Sequence, residues 1–126
     1  MAGLVTVVDD DVAVREALQS LIRSAGLSVR VFASAEQFLE SSDVGKTACL
    51  ISDVRMSGMS GTELHRHLLS KGYKVPVIFI TAHASDQETK AQALSEGALA
   101  YLIKPFEEDE LLDAVYTALG STQSEG

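Results

Sequence analysis

Three consecutive aspartates follow a short apolar run near the start of the chain. Residues 4–8 read LVTVV, and Asp9, Asp10 and Asp11 come directly after them. Carboxylates this close repel one another, by about 1 kcal/mol at a separation of about 4 Å in water and about 4 kcal/mol at a surface-like dielectric. A divalent cation would offset this repulsion, and a solvated turn is the plainer alternative.

Three other residues with useful chemistry end later apolar runs. Asp53 follows ACLIS, Thr81 ends VPVIFIT, and Lys104 ends ALAYLIK. If these runs are parallel strands, right-handed crossovers bring their carboxyl ends to one edge of the sheet. The acidic residues, the hydroxyl and the amine are then expected to converge. Carboxylate oxygens from Asp9, Asp10 and Asp53 suit a hard cation such as Mg²⁺ or Mn²⁺.

Strand-like and helix-like segments alternate along the whole chain. Apolar, β-rich runs predict strands within residues 4–8, 27–32, 48–52, 75–82 and 98–104. Helical spacing or helix-start signals predict helices within residues 11–25, 34–40, 60–72, 85–97 and 106–120. This alternation indicates an α/β fold, namely a doubly wound five-stranded parallel sheet with five helices. Binding sites in such folds lie beyond the carboxyl ends of the strands.

Local signals mark where several helices begin and end. Ser34, Ser60 and Ser85 are each followed three residues later by Glu or Gln, which predicts capping boxes. Asp11 is predicted to cap the first helix, and Gly26 is predicted to end it.

The composition limits the classes of function. A chain of 126 residues with 46% hydrophobic residues fits one globular domain. We assign residues 1–119 to that domain and residues 120–126 to a flexible tail or the start of a linker. The net charge of −8 argues against direct nucleic-acid binding by this domain. The apolar runs are too short for a membrane span, and the N-terminus does not resemble a signal peptide.

The cysteine and the histidines offer little further chemistry. Cys49 is the single cysteine, so no disulfide is possible within the chain, and it is expected to be a small buried hydrophobe. The lack of a disulfide suits a reducing compartment, which favours a cytoplasmic location. His65 and His67 are two residues apart on a predicted helix, so they are a poor metal pair and are expected on its surface. His83 comes after Thr81 and is interpreted as a polar residue of the loop.

Four segments in this order resemble the receiver domain of bacterial two-component response regulators. They are VVDDD, ISDVRMSGMSG, VIFITAH and YLIKPF, each at a predicted strand end, and the resemblance runs from Leu4 to about Ala118. It implies a flavodoxin-like sheet with strand order 2-1-3-4-5. It also implies that Asp53 accepts a phosphoryl group from a sensor histidine kinase. Such a domain is regulatory rather than an enzyme, although it assists its own phosphorylation and dephosphorylation.

The resemblance assigns a role to each candidate residue around Asp53. Asp9 and Asp10 would hold Mg²⁺ (or Mn²⁺), with Asp53 and the backbone carbonyl of Arg55 completing the protein ligands. A cation would stabilise the charge on the transferred phosphoryl group.

The resemblance also implies residues that respond to phosphorylation. Thr81 and Lys104 would contact the phosphoryl oxygens, and Tyr101 matches the aromatic switch residue that acts with Thr81. The bond between Lys104 and Pro105 is cis in the family. The surface of the fourth helix and fifth strand would then mediate a phosphorylation-dependent homodimer or contact with an output domain. That output domain, often DNA-binding and active in transcription regulation, would lie outside these residues.

One position departs from the family pattern. Receivers usually have proline four residues after the phosphoacceptor, and this chain has Ser57. Serine is expected to leave the loop freer and to add a hydroxyl.

Two other classes of function remain as alternatives. An aspartyl-phosphate phosphatase or phosphotransferase of the haloacid-dehalogenase type would need an aspartate at the position of Arg55. A flavin or nucleotide module would need an anion-binding loop after the first strand, where this chain has aspartates that repel phosphate.

Overall fold

Strands and helices alternate in the computed structural model, which describes residues 3–82 and 87–123. Within these ranges there are five strands, five α-helices and one short 3-10 helix. In chain order they are β1 (Leu4–Val8), α1 (Val12–Ser24), β2 (Val29–Phe32), α2 (Ala35–Glu40), the 3-10 helix (Val44–Lys46), β3 (Thr47–Asp53), α3 (Gly61–Ser70), β4 (Val77–Thr81), α4 (Gln87–Ser95), β5 (Ala100–Ile103) and α5 (Glu108–Gln123). The predicted alternation is confirmed, and only the 3-10 helix was not expected.

The sheet has the order β2-β1-β3-β4-β5, and all of its strand pairs are parallel. This confirms the doubly wound, flavodoxin-like fold. Val8 pairs with Ser52, so Asp9 and Asp53 leave neighbouring strands at the same edge. The strand order reverses between β1 and β3, and a doubly wound sheet forms its binding crevice at such a switch point.

Hydrophobic residues pack on both faces of the sheet. On one face, strand residues pack against α1 and α5 through Leu18, Ile22, Leu111 and Val115. On the other face, α2, α3 and α4 contribute Phe38, Leu64, Leu68 and Ala93. Burial on both faces explains why β1, β3 and β4 are almost continuously apolar. The same packing holds the strand ends in fixed positions.

The predicted helix starts are largely reproduced. The side chain of Asp11 accepts a hydrogen bond from the backbone N–H of Ala13, so it caps α1 as expected. Ser60 and Glu63 form a complete capping box on α3. The box at Ser34 is partial, because Gln37 accepts from the N–H of residue 33 rather than of Ser34. The box predicted at Ser85 lies outside the described residues.

α5 extends further than the sequence suggested, because it continues through Gln123 and past the predicted domain boundary at residue 119. Gly26, Gly72 and Gly97 follow helix ends with positive φ, whereas Gly120 is not among the residues with positive φ. Gly120 therefore lacks the left-handed conformation that ends a helix at glycine. Residues 124–126 lie outside the described residues, and the tail boundary stays a prediction. No helix in the described part of the chain is long and apolar enough to cross a membrane.

The expected surface position of His65 is wrong. The residue is buried, with 3% of its surface exposed, and its ring meets Phe79 edge-on at a centroid distance of 5.9 Å. It lies on the inner face of α3 with Leu64 and Leu68, because positions three and four apart share a helix face. Burial is the main cause that lowers the pKa of His65. Cys49 is buried as predicted, and burial raises the pKa of its thiol to about 12.

The capping box of α3 yields a stability prediction. Ser60→Ala should lower the free energy of unfolding by about 1 kcal/mol, because the N–H of Glu63 loses its acceptor. Ser70→Ala, at the other end of α3, is the matched control, since Ser70 is exposed and its hydroxyl donates to the carbonyl of His67 within the same helix. Urea denaturation of both variants measures the difference, and equal losses would contradict the capping role.

Candidate functional site

The three N-terminal aspartates have different environments at the end of β1. Asp9 is fully buried, and its Oδ1 accepts a hydrogen bond of 2.9 Å from the backbone N–H of Asp11. The guanidinium of Arg15 donates to the backbone carbonyl of Asp9 at 2.7 Å, a contact that the sequence did not reveal. Asp10 is exposed, and Asp11 is the cap of α1. Only two of the three are thus available to a shared site.

Asp53 completes an acidic cluster with Asp9 and Asp10. One carboxylate oxygen from each residue lies within 4.8 Å of the others. Oδ1 of Asp53 accepts a hydrogen bond of 3.3 Å from the backbone N–H of Arg55. Burial raises the pKa of Asp53, and the charges of Asp9 and, more weakly, Asp10 add to this, while Lys104 and the Arg55 N–H act against it. The cluster therefore carries the like-charge strain that the sequence suggested.

Lys104 provides the positive charge of the site. Its Nζ lies 3.4 Å from Oδ2 of Asp9 and 3.8 Å from Oδ2 of Asp53. Its side chain is 23% exposed, so the amine is only partly hydrated. The peptide bond to Pro105 is cis, as the resemblance implies. Lys104 therefore offsets part of the repulsion between the carboxylates.

Thr81 is the last residue of β4, and Tyr101 lies within the neighbouring strand β5. Thr81 is fully buried, and its backbone carbonyl accepts a 2.7 Å hydrogen bond from the N–H of Lys104. Tyr101 is 7% exposed, and its ring packs against Phe79 at a centroid distance of 6.3 Å. Tyr101 is thus directed inward in this conformation. His83 lies outside the described residues.

The loop between β3 and α3 contains two contacts that the sequence did not predict. The backbone N–H and the hydroxyl of Ser57 both donate to Oδ2 of Asp10, at 3.2 and 3.4 Å. The carboxylate of Glu36, on α2, accepts a 2.9 Å hydrogen bond from the N–H of Met59. Ser57 therefore joins the loop to the end of β1, and the expectation that serine leaves the loop freer than proline stays a prediction. The only sequence signal for this contact was that serine stands where the family usually has proline.

The backbone of Asp53 is held by close packing with the start of α3. The hydroxyl of Ser52 donates to the Asp53 carbonyl at 3.0 Å, and the N–H of Gly61 donates to the carbonyl of Val54 at 2.9 Å. A Cβ at Gly61 would collide with the Asp53 carbonyl oxygen. Glycine is therefore required there, although no sequence signal pointed to this position.

The fold and this acidic edge are typical of a phosphoacceptor signalling domain, in which a carboxylate at the end of β3 lies close to an acidic pair and to a lysine. Comparison with known proteins agrees with that class. A family model described as the response regulator receiver domain matches residues 5–116. The chain belongs to this family and is a regulatory domain, as the sequence predicted.

Several relatives and structures are similar over most of the chain. The response regulator protein TmoT of Ectopseudomonas mendocina is 48% identical over 119 residues, which cover 93% of this chain and 53% of TmoT. The transcriptional regulatory protein TdiR of Thauera aromatica is 42% identical, with 94% and 52% covered. A low-resolution structure of response regulator StyR has a TM-score of 0.90 and 43% identity, with 99% and 63% covered. The chain spans about half the length of these two sequence relatives.

The raised pKa of Asp53 predicts how stability depends on pH without metal. The folded chain holds the Asp53 proton more tightly than the unfolded chain, so this residue's contribution to stability decreases as pH rises from about 3.9 through the raised value. Asp53→Asn should therefore be more stable than the parent at neutral pH, and this advantage should disappear in acid.

Urea denaturation in EDTA between about pH 3 and pH 7 measures this difference. Asp113→Asn, an exposed change of the same type on α5, is the control and should not show the trend. A pH-independent difference between Asp53→Asn and the parent would contradict the prediction.

Proposed function

We propose that Asp53 is the phosphoacceptor of this receiver domain and that a sensor histidine kinase donates the phosphoryl group. One observation carries the proposal. Asp53 is the partly buried carboxylate that lies both within the acidic cluster and 3.8 Å from the amine of Lys104. An acceptor needs a carboxylate oxygen beside positive charge that a phosphodonor can reach. Asp9 lies closer to the same amine but is fully buried, whereas the side chain of Asp53 is 13% exposed.

The chemistry of transfer follows from this placement. An Asp53 oxygen attacks phosphorus, so an O–P bond forms while the N–P bond of the donor phosphohistidine breaks, giving an acyl phosphate. The histidine nitrogen leaves with its bonding pair. Lys104 stabilises the negative charge on the phosphoryl oxygens as a compact point charge. Thr81 would donate its hydroxyl hydrogen bond to one of those oxygens, which are present only after transfer.

The donor set at the acidic edge fits a hard divalent cation. The carboxylates of Asp9, Asp10 and Asp53 offer oxygens within 4.8 Å of one another, and Mg²⁺ or Mn²⁺ prefers oxygen ligands. The backbone carbonyl of Arg55 would be the fourth protein ligand. When bound, the cation would supply charge stabilisation to the transferred phosphoryl group. The chain's own contribution is to hold these oxygens close together despite their repulsion.

The similarity to longer regulators suggests partners for this domain. TdiR is named a transcriptional regulatory protein, and this chain matches about half of it. We infer that the chain passes its phosphorylation state to an output domain, often DNA-binding in such proteins, and that it works in the cytoplasm. It would assist its own phosphorylation and dephosphorylation through the same site. The net charge of −8 supports the view that this domain does not itself contact nucleic acid.

The two alternative functions are not favoured. Arg55 occupies the position where a haloacid-dehalogenase-type enzyme would need its second aspartate, and aspartates occupy the loop where a nucleotide module would need phosphate-binding groups.

The proposed acceptor predicts the result of chemical phosphorylation. Incubation with a small phosphodonor and Mg²⁺ should add one phosphoryl group to the parent by intact mass, and Asp53→Asn should take none, because its amide cannot replace the nucleophilic carboxylate. Asp11→Asn is the matched control, since Asn caps a helix as well as Asp does. Unchanged labelling of Asp53→Asn would show that the acceptor lies elsewhere.

The proposed switch predicts a difference in self-association. Phosphorylation should draw the Thr81 hydroxyl toward Asp53 and hold Tyr101 in the inward position that it has in this conformation, which stabilises one arrangement of the surface of α4 and β5. The association constant of the phosphorylated domain should rise by roughly 5- to 150-fold, the usual range of allosteric coupling. Thr81→Ala should still be phosphorylated but should not show this rise, because it lacks the hydroxyl that would contact the phosphoryl group only in the phosphorylated state.

Sedimentation of the phosphorylated and unphosphorylated proteins measures the association constant. Thr117→Ala, an exposed change on α5, should behave as the parent. A parent that stays monomeric at high concentration after complete phosphorylation would rule out dimerisation through this surface, although Asp53 could still be the acceptor.

A further inference from the structure

Ser57 and Asp10 are connected across 47 residues of sequence by two hydrogen bonds. The backbone N–H of Ser57 is 3.2 Å from Oδ2 of Asp10, and its hydroxyl is 3.4 Å from the same oxygen. Both donors thus act on one carboxylate oxygen. A carboxylate has about four acceptor positions, two on each oxygen, so both positions of Oδ1 are still available to a cation.

The position of Asp10 needs such support. Asp10 is exposed, and its carboxylate lies in a cluster with two other carboxylates, those of Asp9 and Asp53. Asp9 is fixed by burial and by the N–H of Asp11, whereas an exposed side chain can rotate away from like charges. The hydrogen bonds from Ser57 oppose that rotation in the absence of metal.

The loop that carries Ser57 is itself held in place. Gly58 has a φ of +77°, a conformation that favours glycine, and it turns the chain immediately after Ser57. The next N–H, of Met59, donates to the carboxylate of Glu36 at 2.9 Å. The loop that carries the two Ser57 donors is therefore also hydrogen-bonded to α2.

We propose that Ser57 is a positioning residue that holds the Asp10 carboxylate ready for a divalent cation. This inference rests on the proposed function of the acidic cluster as a Mg²⁺ site. A carboxylate already in place loses less conformational freedom when the cation binds, so preorganisation increases affinity. Mg²⁺ requires nearly ideal octahedral geometry, whereas Ca²⁺ accepts flexible arrangements. Ser57 therefore contributes more to the affinity for Mg²⁺ than for Ca²⁺.

A series of substitutions at Ser57 separates the two donors. Ser57→Thr keeps the N–H and the hydroxyl, Ser57→Ala keeps only the N–H, and Ser57→Pro keeps neither. Titration calorimetry with Mg²⁺ should give parent-like affinity for threonine, a smaller loss for alanine and a larger loss for proline. The total loss should be roughly two- to tenfold in Kd, as expected for one or two hydrogen bonds. Ser70→Ala, at the far end of α3, is the matched serine control.

Three readouts distinguish positioning from a general loss of structure. The Mg²⁺ affinity should fall more than the Ca²⁺ affinity. In the Asp10→Asn background, Ser57→Pro should have little further effect, because the partner charge is gone. In the metal-free parent, the amide resonance of Ser57 should move upfield on Asp10→Asn.

Several results would overturn the proposal. Parent-like Mg²⁺ affinity in both Ser57→Ala and Ser57→Pro would do so, as would a proline effect that persists unchanged in Asp10→Asn. If Ser57→Pro does not fold, the Mg²⁺ affinity of Ser57→Ala is decisive. A Kd for Mg²⁺ equal to that of the parent would then overturn the positioning role of Ser57. Failure of Asp53 labelling alongside a Ser57-dependent Mg²⁺ affinity would contradict the proposed phosphoacceptor and leave the positioning role supported.

Discussion

The repulsion among the carboxylates of Asp9, Asp10 and Asp53 is the constraint on which the rest of the site depends. These groups meet because β1 and β3 are neighbours and end at the same edge of the sheet. Burial of Asp9 and partial burial of Asp53 strengthen the repulsion, since less water screens it. The raised pKa of Asp53 reports the same strain, with burial as its largest cause and the charge of Asp9 next.

The structure counters this strain with fixed donors rather than by separating the charges. Lys104 lies 3.4 Å from Asp9 and 3.8 Å from Asp53, and backbone N–H groups act on Asp9 and Asp53. Ser57 acts on Asp10 from a different loop. Because each donor leaves part of a carboxylate available, the cluster is held together and can still accept a cation.

The packing behind the site explains why these positions can be maintained. Hydrophobic clusters on both faces of the sheet fix β1, β3 and β4, and the start of α3 lies directly against the backbone of Asp53, where only Gly61 fits. In the interior, the ring of Phe79 packs against the rings of His65 and Tyr101.

The sequence by itself determined the alternating elements and the placement of Asp9, Asp10, Asp53 and Lys104 at strand ends. Apolar runs and capping residues act locally, and the rule for parallel strands then brings those ends together. The inner position of His65, the extent of α5 and the bonds from Ser57 to Asp10 were decided only by the tertiary structure. They depend on which helix face packs inward, on whether Gly120 leaves the helical conformation, and on a contact between loops 47 residues apart. Local sequence patterns carry no information about how segments far apart in the chain pack together.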